Sequence, residues 1–404
     1  MDLRSVERVR KRKNEDEEFM FVILPALYFH LTWQNQRQQR HLSFVYGKEH
    51  VRELLGGHLK NCLAAFRMEP NIFMWLASYL REEGLILDSR IKVEEKLAFF
   101  LYMLSHNASY EKMQLEFKHS GWSFSKYVTE FFDIIPTLTT RIVKPLNLYE
   151  THPRIATDRR FFPYFQNCIG AIDGSHVPVT RTPSRASPWR NRKGTLSQNS
   201  MFTCDFDLNV TYISCGWEGS ASDARVLNSA IQRGFTVPAG KFYLVDGGYG
   251  NTQFFLAPYR GVRYHLKEFG RGRRRPQNYM ELFNHRHAVL RNCIERLLGI
   301  LKKRFPILKV GTFHKIWNQV RIPAAAAIFH NIIRQHNGDE DWLEDQEDNI
   351  NPENFVDLPD GDDEVQQEDV VQLPGNHVLG NNLRDQIAMQ MWNDYQAGNN
   401  ANVE

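Results

Sequence analysis

Apolar and polar positions follow two different rhythms along this chain. From about Val51 to Pro145 the apolar residues recur three and four apart. Leu54, Leu55, Leu59, Cys62 and Phe66 come first, then Ile72 to Leu80 after Pro70, then VEEKLAFFLYML from Val93 to Leu104. This spacing gives each helix one buried face. Two further helices are expected over Ser109–Phe117 and Ser123–Ile135, separated by Lys118 to Trp122, which contains Gly121. Ser123 is placed to cap the second of them. Such a pair reads as a helix-turn-helix, with Ser123, Ser125 and Lys126 opening a recognition helix, or as an ordinary helical bundle packed on the downstream half of the chain.

Beyond Thr151 the rhythm shortens. Asn167 to Val179 (NCIGAIDGSHVPV) is a short apolar run that delivers Asp173 into Gly-Ser-His. Lys241 to Tyr249 (KFYLVDGGY) repeats the pattern with Asp246. One strand ending in Asp-Gly is a common turn, whereas two suggest acids presented together at a sheet edge. Met201–Phe206 and Leu208–Cys215 read as a hairpin, and with the Asp173 strand they make three antiparallel strands. Gly261–Leu266 is a candidate fifth strand. A helix is expected over Glu281–Phe305, with one apolar stripe from Leu282 to Phe305 and a second face carrying Arg291, Glu295 and Lys302. An Arg–Glu pair four apart is usually a solvated face, but this helix is strongly basic, which suits a polyanion. Pro323 opens a closing helix. Ile387–Tyr395 reads as a short amphipathic helix that binds a partner.

Other candidate residues have local explanations. Asp205 and Asp207 fit turn positions and Asp223 fits a helix N-terminus, so all three are read as structural. His285 and His287 are two apart on a helix and diverge, which disfavours a zinc site. No Gly-rich loop opens a helix as a nucleotide site would require. Two basic loops could hold phosphates: Arg181 to Gln198, with Arg190, Arg192, Lys193 and a Trp189 able to stack on a base, and Lys267 to Arg275 with Arg273, Arg274 and Arg275. Solvated loops are the alternative for both.

Composition sharpens the picture. Residues 338–404 hold 18 acids and one base, Arg384, so the remainder carries 49 Lys and Arg against 29 Asp and Glu. A basic body with an acidic tail points to a polyanionic partner. Five scattered cysteines without a CxxC spacing argue for a reducing compartment. Phe19 to Leu31 is too short for a membrane span and follows an acidic run, so a packed helix is expected there. Residues 1–18, with basic Arg8 to Lys13, suit a nuclear-import patch, a nucleic-acid contact or a solvated disordered end.

Four segments carry a resemblance: IGAIDGSHVPV, the stretch from RNRKGTLSQNS to GSASDARVL, YLVDGGYGN, and FNHRHAVLRNCIERLLGILKKRFPIL. In this order they resemble the Harbinger-type (PIF/Harbinger) DDE transposases and their domesticated, nuclease-like descendants. The likeness covers roughly Thr151 to Asn337, and a weaker one extends upstream to about His50. Arg291, Glu295 and Lys302 also fit the Arg-x3-Glu-x6-Lys signature of related bacterial insertion-sequence transposases, whose opening Tyr is Ala288 here. The resemblance implies an α/β, ribonuclease-H-like catalytic domain, a mixed sheet flanked by helices, preceded by an all-α domain.

The expected organisation is a charged, disordered 1–18, a helical 19–145, a DDE endonuclease domain over 151–337 and a disordered acidic tail over 338–404. Asp173, Asp246 and Glu295 would be catalytic and would hold two divalent ions, Mg²⁺ or Mn²⁺, whose hard character suits carboxylates. Arg190, Arg192, Lys193, Arg273, Arg274, Arg275, Arg291 and Lys302 would contact DNA. By the same resemblance the protein would be nuclear, with the cytoplasm a second location. It would cleave DNA, with a Myb-like accessory protein and a homo-oligomer as expected partners and no membrane. The alternative is a domesticated, catalytically silent DNA- or chromatin-associated binding protein.

Overall fold

The computed structural model describes residues 19–35, 47–262, 275–336 and 377–400. The chain divides into two units, Met1–Tyr46 and Gly47–Glu404. In the first, a π-helical turn over Phe19–Ile23 leads into α1 (Leu24–Asn35). The segment is helical as expected, and Phe19, Met20, Val22, Leu24 and Tyr28 are exposed.

The second unit begins with six helices: α2 (Gly47–Gly56), α3 (Leu59–Phe66), α4 (Pro70–Glu82), α5 (Val93–His106), α6 (Tyr110–Phe117) and α7 (Gly121–Ile142). Apolar residues surround α5 on every side, and all of Val93 and Glu95–Ser105 is buried, so its neighbours wrap around it. The link from α6 to α7 is three residues, with Lys118 left-handed at φ 58°. Ser120, not Ser123, caps α7, its Oγ accepting from Ser123 N–H at 3.2 Å. The helix also runs past Pro136 to Ile142. Proline cannot donate to the Phe132 carbonyl four residues back, and Arg321 supplies that donor from across the unit at 3.1 Å while pairing with Asp133. Tertiary packing therefore carries the helix over a residue that locally ends one.

After a one-turn α8 (Pro153–Ala156) comes a five-stranded sheet in the order β3-β2-β1-β4-β5. Its strands are β1 (Cys168–Pro178), β2 (Ser197–Cys204), β3 (Val210–Glu218), β4 (Phe242–Leu244) and β5 (Phe255–Leu256). β1 to β3 are antiparallel neighbours, whereas β4 and β5 run parallel to β1. The fifth strand is Phe255–Leu256, not Gly261–Leu266; Gly261 and Val262 are loop, and 263–266 fall outside the described residues.

The sheet buries both faces. On one, Ala171, Leu244 and Leu256 join Leu290, Ile294 and Leu297 of α10 (Tyr279–Arg304) in a core continuous with the upstream helices. On the other, Ile172, Val245 and Phe255 pack with Val226, Leu227 and Ala230 of α9 (Asp223–Gln232). The polypeptide continues through the one-turn α11 (Ile316–Gln319) into α12 (Ile322–Gln335) and, after undescribed residues, α13 (His377–Asn400). This arrangement, a mixed sheet with helices on both faces, is consistent with a ribonuclease-H-like domain.

Two expected boundaries differ. Residue 145 does not divide two bodies, because α7 shares the core with α12: Phe131, Phe132, Ile328 and Phe329 belong to one cluster. Within the expected disordered tail, 377–400 is a helix whose Ile387, Ala388 and Met391 are buried. Tyr259 and Tyr164 donate hydrogen bonds to its Asp385 and Asp394. The amphipathic segment Ile387–Tyr395 thus has its partner in the same chain. Among the described residues no helix is long and apolar enough to cross a membrane.

Candidate active site

Asp173 is not the end of its strand, for β1 continues to Pro178 paired with β2. What ends there is its other neighbour. The β1–β4 ladder closes at Ala171↔Leu244, so Asp173 and Asp246 each lie two residues beyond the last pair. Alternation turns Asp173 to the face covered by α10. Where parallel strands lose their partners, a crevice opens at the sheet edge.

From α10, Arg291 reaches into this crevice. Its guanidinium is buried and bonds Asp173 Oδ2 at 3.0 Å and, one turn on, Glu295 Oε1 at 2.8 Å. The helix is positioned from its start, where Asn278 accepts from the Glu281 amide and the Glu281 side chain accepts from the Gln277 amide. It is also held on its sheet-facing side: His287, fully buried, hydrogen-bonds the Leu256 carbonyl at 2.9 Å, and burial pushes its pKa down to about 3. His287 is therefore a neutral packing residue.

Burial pushes Asp173 up to about 7, Arg291 opposes that shift, and the charges of Asp246, Asp223 and Glu295 add to it. Asp223, which reads from sequence as a helix-end residue, thus belongs electrostatically to the same cluster. Burial and Asp246 raise it to about 6. Its carboxylate lies against Gly174, where a Cβ would stand 2.1 Å from Oδ1, so glycine is what admits the acid to the strand. Asn199, buried on β2, donates to Asp223 at 2.7 Å. The one signal in the sequence that could have found Asp223 is Gly174: Asp-Gly reads as a turn, yet this glycine sits within a paired strand and marks a close approach.

Basic groups frame the acids. Lys302, two turns beyond Glu295, is influenced by Asp173, and burial lowers its pKa. His176 is shifted down by burial and by Lys302, Arg192 and Lys193. Arg192 also acts on Asp223. Lys302 is thus near Asp173, Arg192 near Asp223 and Lys193 near His176. Arg190 is exposed on the same loop, donating to the Gly194 carbonyl at 2.9 Å. Arg275 is exposed just before α10, and Arg273 and Arg274 lie outside the described residues. Two expectations change. Arg291 is buried against carboxylates and does not face outward toward phosphate. Trp189 is buried beneath the Arg181 guanidinium, 5.3 Å from its ring centre, and presents no face to a base.

The donor set suits a hard divalent cation: four carboxylates gather at one crevice, and one buried arginine offsets part of their charge. Among the described residues, however, no three His, Cys, Asp or Glu side chains close around a single point. Arg291 stands between Asp173 and Glu295 in this conformation. The chemistry of the donors fits such an ion, and the arginine bridge would have to open or shift for Asp173 and Glu295 to share it. The five cysteines are free thiols, four of them buried, and take no part in the crevice.

Comparison with known families gives two matches. Residues 172–331 match the DDE superfamily endonuclease family, which supports a DDE transposase-derived origin for this part of the chain. Residues 42–137 match a domain family of unknown function, DUF8040. No curated protein and no solved structure gives a match.

Proposed function

We propose that the protein is a metal-dependent DNA endonuclease of the DDE transposase type and of the Harbinger group. The observation that carries this reading is the crevice itself: Asp173 and Asp246 side by side where β1 and β4 part, Glu295 brought in by α10, and basic groups near them. Within the reading, Asp173, Asp246 and Glu295 hold the divalent ions, Mg²⁺ or Mn²⁺. Two such ions, when bound, supply an activated water and stabilise the leaving oxygen of a phosphodiester.

The chain's own contributions are positional and electrostatic. The sheet edge fixes two carboxylates on a rigid backbone, so little reorganisation accompanies binding. Lys302, Arg192 and Lys193 draw a phosphate backbone toward the acids, which would otherwise repel it. Arg291 limits the mutual repulsion of the carboxylates before the ions arrive. The upstream α6–α7 pair, with its three-residue link, has the form of a helix-turn-helix that would add to DNA binding. By the family resemblance the protein would act in the nucleus, with a Myb-like protein assisting its targeting.

The second reading, a DNA- or chromatin-associated protein without chemistry, draws support from the Arg291 bridge, which keeps Asp173 and Glu295 on an arginine. Cleavage of duplex oligonucleotides with Mn²⁺ or Mg²⁺ separates the two. Native protein should cleave, and D173N, D246N and E295Q should not. Binding without cleavage by all four proteins would favour the silent reading.

A further inference from the structure

Asp223 is over-built for a helix end. The N-terminus of α9 is preceded by Ser222, whose hydroxyl makes no capping bond, and Asp223 does not turn back to supply one. Its Oδ1 instead accepts from the Asn199 side chain at 2.7 Å and rests against Gly174, beside Asp173 on β1. Asn199 Nδ2 also donates to the Ala221 carbonyl at 3.0 Å, so a buried carboxamide fixes both the acid and the backbone leading to it. A solvated aspartate would serve a helix dipole without desolvation. Here a carboxylate is brought into a crevice that already holds three.

A second, independent feature lies near these acids. Tyr249 is 1% exposed, and among the described residues its hydroxyl has no hydrogen-bond partner. Asp223, Asp173 and Asp246 all act on that hydroxyl. A buried, unpartnered donor and acceptor among three acids is costly unless a ligand or its bound water completes it.

We propose that Asp223 is a fourth carboxylate of the divalent-cation site, held in place by Asn199 and admitted by Gly174, with the Tyr249 hydroxyl directed at the same bound ion or its water. The assignment rests on the DDE-nuclease reading and adds to it a residue outside the Asp173, Asp246 and Glu295 set.

The test is Mn²⁺ binding to the full chain, read by calorimetry and by the Mn²⁺ paramagnetic signal, so that no turnover is needed. D223N is nearly isosteric and should fold, with a metal-free melting temperature equal to or above that of the native protein. Its Mn²⁺ affinity should fall by at least about tenfold, the scale seen when groups supporting a metal site are lost. G174A changes no acid, yet its Cβ displaces the Asp223 carboxylate, so it should show a similar loss. D205N, altering an acid that braces the β2–β3 turn through Asn209 and the Asp207 amide, should bind like the native protein. Native affinity in D223N, with binding lost in D173N, overturns the role of Asp223 while leaving the nuclease reading intact. Failure of the native protein itself to bind Mn²⁺ overturns both.

Discussion

Replacing Arg291 by Met tests how the crevice is balanced. The guanidinium is buried, and it bridges two carboxylates whose side chains are only 16% and 14% exposed. At an effective dielectric constant near 20, a contact pair of unit charges is worth about 4 kcal/mol. Two such contacts are lost, but so is the desolvation of the arginine, and the acids can relieve their repulsion by taking up a proton. Breaking a buried pair from one side nets about 3 kcal/mol of destabilisation. For a unit of this size that corresponds to a fall in melting temperature of about 4 °C. A divalent cation supplies the missing charge without competing with the arginine. Mn²⁺ at a hundredfold excess over its dissociation constant contributes about 2.7 kcal/mol. The expected result by differential scanning fluorimetry is therefore that loss without metal and a Mn²⁺-induced rise greater in R291M than in the native protein. A variant that melts like the native protein, or that gains no more from Mn²⁺, would refute the reasoning.

Asp173 is raised to about 7 in the folded protein, so between its unfolded value and pH 7 the folded state binds the extra proton and stability falls as pH rises. D173N should therefore stabilise the protein at pH 8 and do little at pH 4, as read from urea midpoints; the reverse order would contradict the burial argument. His287 is lowered to about 3, so below pH 6.5 the unfolded chain takes up a proton that the folded one does not, and stability falls as pH drops toward 3. A His287→Gln variant should lose that part of the acid dependence in thermal melts. Met391 on α13 is fully buried, and Met391→Ala should cost about 2 to 3 kcal/mol, whereas an unchanged urea midpoint would mean that α13 does not pack on this unit. Changing Arg192 and Lys193 together to Ala should weaken DNA binding and flatten its salt dependence by up to about two counterions, measured by fluorescence anisotropy at several salt concentrations.

The sequence displays the acids better than their surroundings. Asp173 and Asp246 are legible because each follows a short apolar run, and Glu295 because helical spacing joins it to Arg291 and Lys302. Their convergence depends on the parallel register Ala171↔Leu244, a contact across more than seventy residues that no local pattern encodes. Asp223 is hidden by a sufficient local explanation, a helix start, which in fact leaves its carboxylate turned toward the strand. Pro136 marks a helix end that Arg321 overrides from nearly two hundred residues away. The length of α13 is obscured by the acidic stretch before it, and its buried face by its mixed composition. Arg291 carries a charge whose direction, inward or outward, is set only by packing.

The most direct measurement is the nicking of supercoiled plasmid with Mn²⁺, made on native protein and D173N with DNA affinity determined on the same preparations. Cleavage by the native protein, none by D173N, and equal DNA binding by both are expected. Cleavage retained in D173N, or absent from a native protein that binds both DNA and Mn²⁺ with any targeting partner supplied, would contradict a nuclease centred on Asp173.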